Sequence, residues 1–375
     1  MSHLEQKIIE EIRAEGPINF EKFMEIALYY PGHGYYAKES TKIGRTGDFY
    51  TSPHLHPVFG AMIGRQMEEM WNLMGKPGIF HVVEMGAGMG YLARDLLEYL
   101  KGSRRREDFL RCIRYVLVEL NPSIKAAQQT LLNDHLNRVE WVSELKDIEP
   151  FSGCLLSNEL LDAFPVRLVE MEDELTEIYV AYDPERGLVE IKKPGSREIA
   201  EYFKEFSIGP PEGYRTEVNL RIRDWLHDVN GKLLKGFILT VDYGYAARDY
   251  YSDDRSRGTL LCYHRHRVNE DPYRNIGEQD LTAHINFSSL KKWGEEIGLK
   301  TAGFSSQGTY LVSLGIDEVI KELYGEHPDP FETAKIKGLV LPQGMGESHQ
   351  VMIQYKGEGG MNLSGFSIRN QAKRL

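Results

Sequence analysis

A chain of 375 residues, 41% hydrophobic and 27% charged, can bury a substantial core in one large domain with insertions or in two domains. Its formal net charge of −11 argues against a nucleic-acid partner, because no basic face dominates to neutralise phosphates. Cys112, Cys154 and Cys262 lie far apart with no C-x-x-C pair, which argues against a disulfide framework and for a reducing compartment.

No apolar run is long enough to span a membrane. The N-terminus lacks the apolar core and cleavage site of a signal peptide, and it is too acidic for an arginine-rich transit peptide. The chain therefore reads as cytoplasmic, with no membrane partner and with a homodimer left open. Leu4 to Ala14 and Phe20 to Leu28 carry helical apolar spacing, the first ending at Gly16-Pro17. A turn-rich aromatic stretch, Tyr30 to Tyr36, and a polar glycine-rich stretch, Gly44 to Pro53, follow. Val58 to Met74 predicts a strong helix, and residues 1–75 group as an N-terminal helical region.

At HVVEMGAGMGYLARDLL, residues 81–97, the pattern changes. Val82 and Val83 read as the end of a buried strand with Glu84 at its tip. Gly86, Gly88 and Gly90 make a glycine turn, and Leu92, Leu96 and Leu97 give the helix after it. Such a turn lets backbone approach a ligand, and the helix start supplies free N–H groups. A dinucleotide fingerprint G-x-G-x-x-G needs glycine where this chain has Tyr91. The next strand, Arg114 to Leu120, contains Glu119, 33 residues after Gly86, where a dinucleotide unit places its acid about 20 residues on. A carboxylate there can accept from both hydroxyls of a ribose.

Further on, Asn121 to Leu132 predicts a helix, and Val139 to Val142 and Gly153 to Ser157 predict strands. Helices alternating with short apolar strands favour a parallel doubly wound sheet. Residues 76–165 would be the first half of that core. From Val166 the period becomes two, with turns at Asp173 and Asp183-Pro184, and helices follow at Glu198 to Phe206 and Asn219 to Asn230. Residues 166–232 thus read as an inserted antiparallel and helical subdomain. Gly236 to Asp242 returns to buried-strand composition and opens the second half of the core, residues 233–356. Ala246 to Arg257 reads as a flap, and Gly258 to Tyr263 as a short strand. Phe287 to Ile297, Ile316 to Tyr324 and Phe331 to Lys337 read as helices. Thr309 to Leu314 and Val351 to Tyr355 read as closing antiparallel strands, and the polar tail 357–375 as frayed.

Four stretches together resemble the MidA family, which includes the mitochondrial complex I assembly-factor arginine methyltransferases. They are Gly47 to Pro53 (GDFYTSP), Glu84 to Gly90, Ser157 to Val166 (SNELLDAFPV), and GEQDLTAHINF within Gly258 to Phe287. The resemblance implies a class I methyltransferase fold, Rossmann-like and α/β, with S-adenosylmethionine as methyl donor. It also implies, from the characterised eukaryotic members, an arginine of a partner protein as acceptor. His54 stands where the family usually has glutamate after T-S-P, which puts the acceptor's identity in question.

Methyl transfer to arginine needs carboxylates to orient a protonated guanidinium and take its proton. Glu159 is the leading acid for this role. Asp162 comes second, three residues on and on the same face if the segment is helical. Asp48, Asp280 and His284 follow from the two specific loops. Glu84, Gly86, Gly88, Gly90, Glu119 and Asn158 form the expected cofactor set. Cys262, His264 and His266 alternate as in a strand, but no fourth ligand stands at useful spacing, so no metal is expected. Tyr243, Tyr245, Tyr250, Tyr251 and Tyr263 are candidate walls of a peptide groove. Two other readings stand beside methyl transfer: a cofactor-binding assembly or chaperone-like protein, and an NAD-dependent oxidoreductase, which Tyr91 disfavours.

Overall fold

Five apolar runs become parallel strands in the computed structural model, which describes residues 2–38, 52–265 and 267–375. The fold is α/β, and the chain divides into two units. The first is Met1–Phe49, Leu161–Asp224 and Tyr245–Leu290; the second is Tyr50–Leu160, Trp225–Gly244 and Lys291–Leu375.

The second unit is built on one sheet. From one edge its strands run Lys300–Ser306, His349–Lys356, Leu233–Tyr245, Phe151–Asn158, Phe80–Met85, Ile113–Val118 and Val139–Val142. The last five are mutually parallel, while His349–Lys356 pairs antiparallel with both of its neighbours. From Phe80–Met85 the chain steps outward twice, then returns on the other side at Phe151–Asn158. That reversal is the switch point where open α/β sheets bind ligands, outside the carboxyl ends of the strands. Helices Val58–Leu73 and Tyr91–Lys101 bury Phe59, Met62, Ile63, Leu92 and Leu96 in one core with Phe80, Leu156 and Leu239. Burial of this apolar area is the main force holding the sheet.

The first unit is antiparallel. Its sheet runs Ile18–Asn19, Leu175–Asp183, Arg167–Met171 and Arg215–Val218, with Gly187–Pro194 also on Leu175–Asp183. Helix His3–Glu15 starts with a reciprocal capping box between Ser2 and Glu5. With Phe20–Tyr29 it sends Leu4, Ile8, Phe20 and Phe23 into a core shared with Leu168, Ile178 and Val180. The stretch read as an insertion therefore shares a sheet and a core with the N-terminal residues. A smaller sheet joins Leu261–His264 to Arg267–Asn269 and Asp280–Thr282.

Three expectations change. Thr309 to Leu314 is not a strand but belongs to helix Gln307–Ser313, and the edge strand is the more polar Lys300–Ser306 before it. The tail is packed, with Leu363 and Phe366 buried in the core of the second unit. The stretch read as a flap holds a short helix, Ala247–Tyr250, whose Tyr250 is buried and donates to Glu217 at 3.2 Å. Among the described residues no helix is long and apolar enough to cross a membrane.

Candidate active site

Strand Phe80–Met85 runs into Gly86, Gly88 and Gly90, with φ of 73°, 50° and 84°. Side chains other than glycine resist this left-handed region. A Cβ on Gly86 would also stand 2.9 Å from Leu160 Cδ1, so the turn keeps its shape only without one. Helix Tyr91–Lys101 starts directly after it. Glu84 is buried beneath the turn and accepts from the Tyr115 hydroxyl at 2.5 Å. Burial pushes its carboxyl up to about 7, with the Tyr115 bond pulling the other way.

Glu119 follows strand Ile113–Val118, as its place in the sequence required. Its carboxylate accepts from the Asn121 N–H at 2.7 Å, and burial raises its pKa against that bond. Gln128, fully buried on helix Pro122–Leu131, joins the glycine turn to Glu119. Its Nε2 donates to the Gly88 carbonyl at 2.7 Å and reaches Glu119 at 3.5 Å, while its Oε1 accepts from Trp141 at 2.9 Å. Asn158 ends strand Phe151–Asn158; its Oδ1 is buried and lacks a hydrogen-bond donor among the described residues.

Glu159 comes next, with φ of 50°, a costly conformation for a side chain of its size. Its N–H donates to the Val241 carbonyl at 2.8 Å. Its side chain is 7% exposed, so it is not a solvated surface acid. Oε1 lies 3.3 Å from the Ser52 N–H, 3.4 Å from Asn158 Nδ2 and 3.3 Å from His349 Nε2. His54 packs edge-on against Tyr91 at 4.9 Å. Burial pushes its imidazole down, and the charge of Glu159 works the other way. Asp242, fully buried, accepts from the backbone N–H groups of Leu160 and Tyr243 and so fixes the loop after Glu159.

Asp162, Asp280 and His284 lie in the first unit. The helical spacing that would put Glu159 and Asp162 on one face is absent, because a strand end and the 3-10 turn Leu161–Ala163 occupy that segment. Asp162 and Asp280 are both buried. The Ala283 N–H donates to the Asp162 carbonyl at 2.9 Å, which joins the SNELLDAFPV and GEQDLTAH stretches. Tyr36 donates to Asp280 at 2.6 Å, and Tyr29, stacked on Tyr36, donates to the Ala163 carbonyl. Burial first, then the charges of Asp280 and Asp162, pushes both tyrosines well above their ordinary range.

His284 lines a cavity of about 510 Å³ with Thr259, Tyr273, Glu190 and Arg215. Glu217 closes one wall, accepting from Tyr250, from the N–H groups of Thr259 and Leu260, and from the Thr259 hydroxyl. Of the tyrosines expected to wall a groove, Tyr243 lies against His349 in the second unit, while Tyr250 and Tyr251 are tied to Glu217 in the first. Asp48 and His266 lie outside the described residues. Cys262 is buried, and His264 Nδ1 sits 3.2 Å from the Glu278 carbonyl.

Sequence reasoning missed Gln128, Asp242 and His349. Gln128 left a trace, a polar residue four after Ile124 on the buried face of its helix. Asp242 ends an apolar run, as Glu84 does. His349 opens a strand and gave no signal.

The family described as S-adenosyl-L-methionine-dependent methyltransferase matches residues 62–305. A Burkholderia thailandensis protein crystallised with S-adenosyl-homocysteine is 31% identical, with a TM-score of 0.90 over 99% of this chain and 96% of that one. The mitochondrial protein arginine methyltransferase NDUFAF7 of Danio rerio is 29% identical over 93% of this chain and 85% of its own length. Its Rattus norvegicus counterpart is 27% identical over 91% and 81%. The second unit fits the cofactor of that family: a left-handed glycine turn leads straight into a helix start, Glu119 can take a ribose diol, and Asn158 Oδ1 is buried without a donor among the described residues. The chain belongs to the S-adenosyl-L-methionine-dependent methyltransferases.

Proposed function

We propose that this enzyme methylates an arginine side chain of a partner protein, with Glu159 orienting the guanidinium and taking its proton. The observation that carries the reading is the placement of Glu159. Its carboxylate is withdrawn from water at the carboxyl end of a parallel strand, on a backbone held at φ 50°, beside the glycine turn. Strain of this kind persists where surrounding structure over-determines it, and it gathers at functional sites. The names of the NDUFAF7 relatives support arginine as the acceptor.

S-adenosylmethionine supplies an activated methyl on a sulfonium. Held there, it would give up its methyl to the acceptor nitrogen with the carbon–sulfur electron pair left on sulfur, and Glu159 would take the proton that the nitrogen loses. A buried carboxylate pairs strongly with guanidinium, so Glu159 also sets the line of approach. Asp162, Asp280, His284 and Asp48 are further acceptor-side candidates. Unpaired Cys112, Cys154 and Cys262 suit a reducing compartment such as the cytoplasm.

The test is labelled-methyl transfer from S-adenosylmethionine into total lysate protein, with the modified residue located by mass spectrometry. Methylarginine is expected, and methyl on another residue type would overturn arginine as acceptor. Glu159→Gln should lower turnover by about 100-fold while cofactor affinity changes little. Full turnover in that variant would remove Glu159 from the chemistry. No transfer to any protein would favour the assembly-protein reading.

A further inference from the structure

On the reading of Glu159 given above, each turnover leaves one proton on its carboxylate, which must lose it before it can receive another cationic guanidinium. The Ser52 N–H and the Asn158 amide, both within reach of Oε1, donate hydrogen bonds but do not carry a proton away. Among the described residues a further neighbour is His349, whose Nε2 lies 3.3 Å from Oε1. On the other side of the ring, Nδ1 lies 3.1 Å from Ser348 Oγ. Ser348 is half-buried, whereas His349 is fully buried. Carboxylate, imidazole and hydroxyl therefore form a line from the buried acid towards water.

The imidazole is held in place. His349 opens strand His349–Lys356 and is paired in register with Tyr243, whose ring centroid lies 4.0 Å from its own. Among the described residues, titratable side chains on the elements packed around it include Glu159, Asp242 and Tyr243, with Glu347 on its own segment. Among the described residues Nε2 makes no hydrogen bond, and its approach to Glu159 is off the line of one. Contacts of this kind tighten when a substrate complex forms.

We propose that His349 is the positioning and proton-relay residue of Glu159: it takes the acceptor's proton from Oε1 at Nε2 and releases one from Nδ1 through Ser348 to water. The proposal rests on the reading of Glu159 given above. An imidazole suits the task because one nitrogen accepts while the other donates.

The experiment measures initial rates of labelled-methyl transfer from S-adenosylmethionine into total lysate protein between pH 6 and 9. It compares the full-length protein with His349→Gln, Ser348→Ala and Glu159→Gln, with cofactor binding followed by calorimetry. Glutamine keeps a polar side chain of similar reach but relays no proton. His349→Gln should bind cofactor as the parent does, lose about 10- to 100-fold in turnover and lose the acidic limb of its pH profile. Ser348→Ala, closer to the surface, should show the same change of profile with a smaller loss of rate, and it carries the test if His349→Gln fails to fold. If Glu159→Gln is slow while His349→Gln and Ser348→Ala keep the parent rate and profile, the relay is overturned and the role of Glu159 stands. If Glu159→Gln itself keeps the parent rate, the reading of Glu159 fails and the relay with it.

Discussion

The Gln128 side chain donates to the Gly88 carbonyl at 2.7 Å, and so fixes the glycine turn from a helix 40 residues further along the chain. The same amide nitrogen approaches Glu119 at 3.5 Å, so one buried group spans the glycine turn and Glu119, the two parts of the proposed cofactor site. Removing it strands the Gly88 carbonyl and the Trp141 N–H, each costing about 1–3 kcal/mol if left unpaired. Gln128→Ala should weaken S-adenosylmethionine binding by about 10-fold or more in calorimetry, with a lower melting temperature. Unchanged affinity would show that the turn holds its shape without Gln128.

Much of this arrangement was legible beforehand, for physical reasons that differ from element to element. Ile316 to Tyr324 was read to its end residues because its apolar side chains repeat at helical spacing and glycines flank it. The glycine turn was legible because few residues other than glycine adopt a left-handed backbone three times in five positions. Lys300–Ser306 was not legible: it draws its hydrogen bonds from His349–Lys356 and carries no strong alternation of its own. His349 and Asp242 matter through neighbours more than 80 residues away, a relation no local pattern encodes. The shared face expected for Glu159 and Asp162 assumed helix where the backbone turns at φ 50°.

Glu84 makes the stability of the cofactor-free protein depend on pH. Its folded carboxyl is pushed up to about 7 from 4.5 by burial. Between those values the unfolded chain has released its proton and the folded chain still holds it. Stability therefore falls as pH rises through this window, by an amount on the order of 3 kcal/mol. Glu84→Gln keeps an acceptor for Tyr115 and removes the titration. Urea midpoints from pH 5 to pH 8 should decline less in the variant than in the parent. Parallel curves would place the pH dependence elsewhere.

Gly258 lies against Glu217 with φ of 80°, and a Cβ there would fall inside contact distance of the Glu217 Oε1 atom. That carboxylate holds the Thr259 and Leu260 N–H groups at 3.0 Å. Gly258→Ala would combine backbone strain with the loss of some of these bonds, at about 2–4 kcal/mol. Hydrogen exchange should show Thr259, Leu260 and the strand Leu261–His264 losing protection first. Uniform loss of protection across the first unit would mean that Glu217 supports more than this loop.

The tail ends the chain as part of the core. Phe366 lies on Gly303, leaving no room for a Cβ there, and its ring stands 5.5 Å from that of Tyr310. Ser364 donates its N–H and hydroxyl to Glu69, at 3.0 and 2.6 Å, which ties the tail to helix Val58–Leu73. Phe366→Ala should cost about 3–5 kcal/mol, the range for removing a buried aromatic ring. Deleting residues 357–375 should cost at least as much, because Tyr310 on helix Gln307–Ser313 would lose the cover of Gly365 and Phe366. Both changes should appear as lower denaturant midpoints, with S-adenosylmethionine affinity retained wherever the variant is folded, since the glycine turn lies on other strands. A truncated protein as stable as the parent would return the tail to the frayed state that its polar composition suggests.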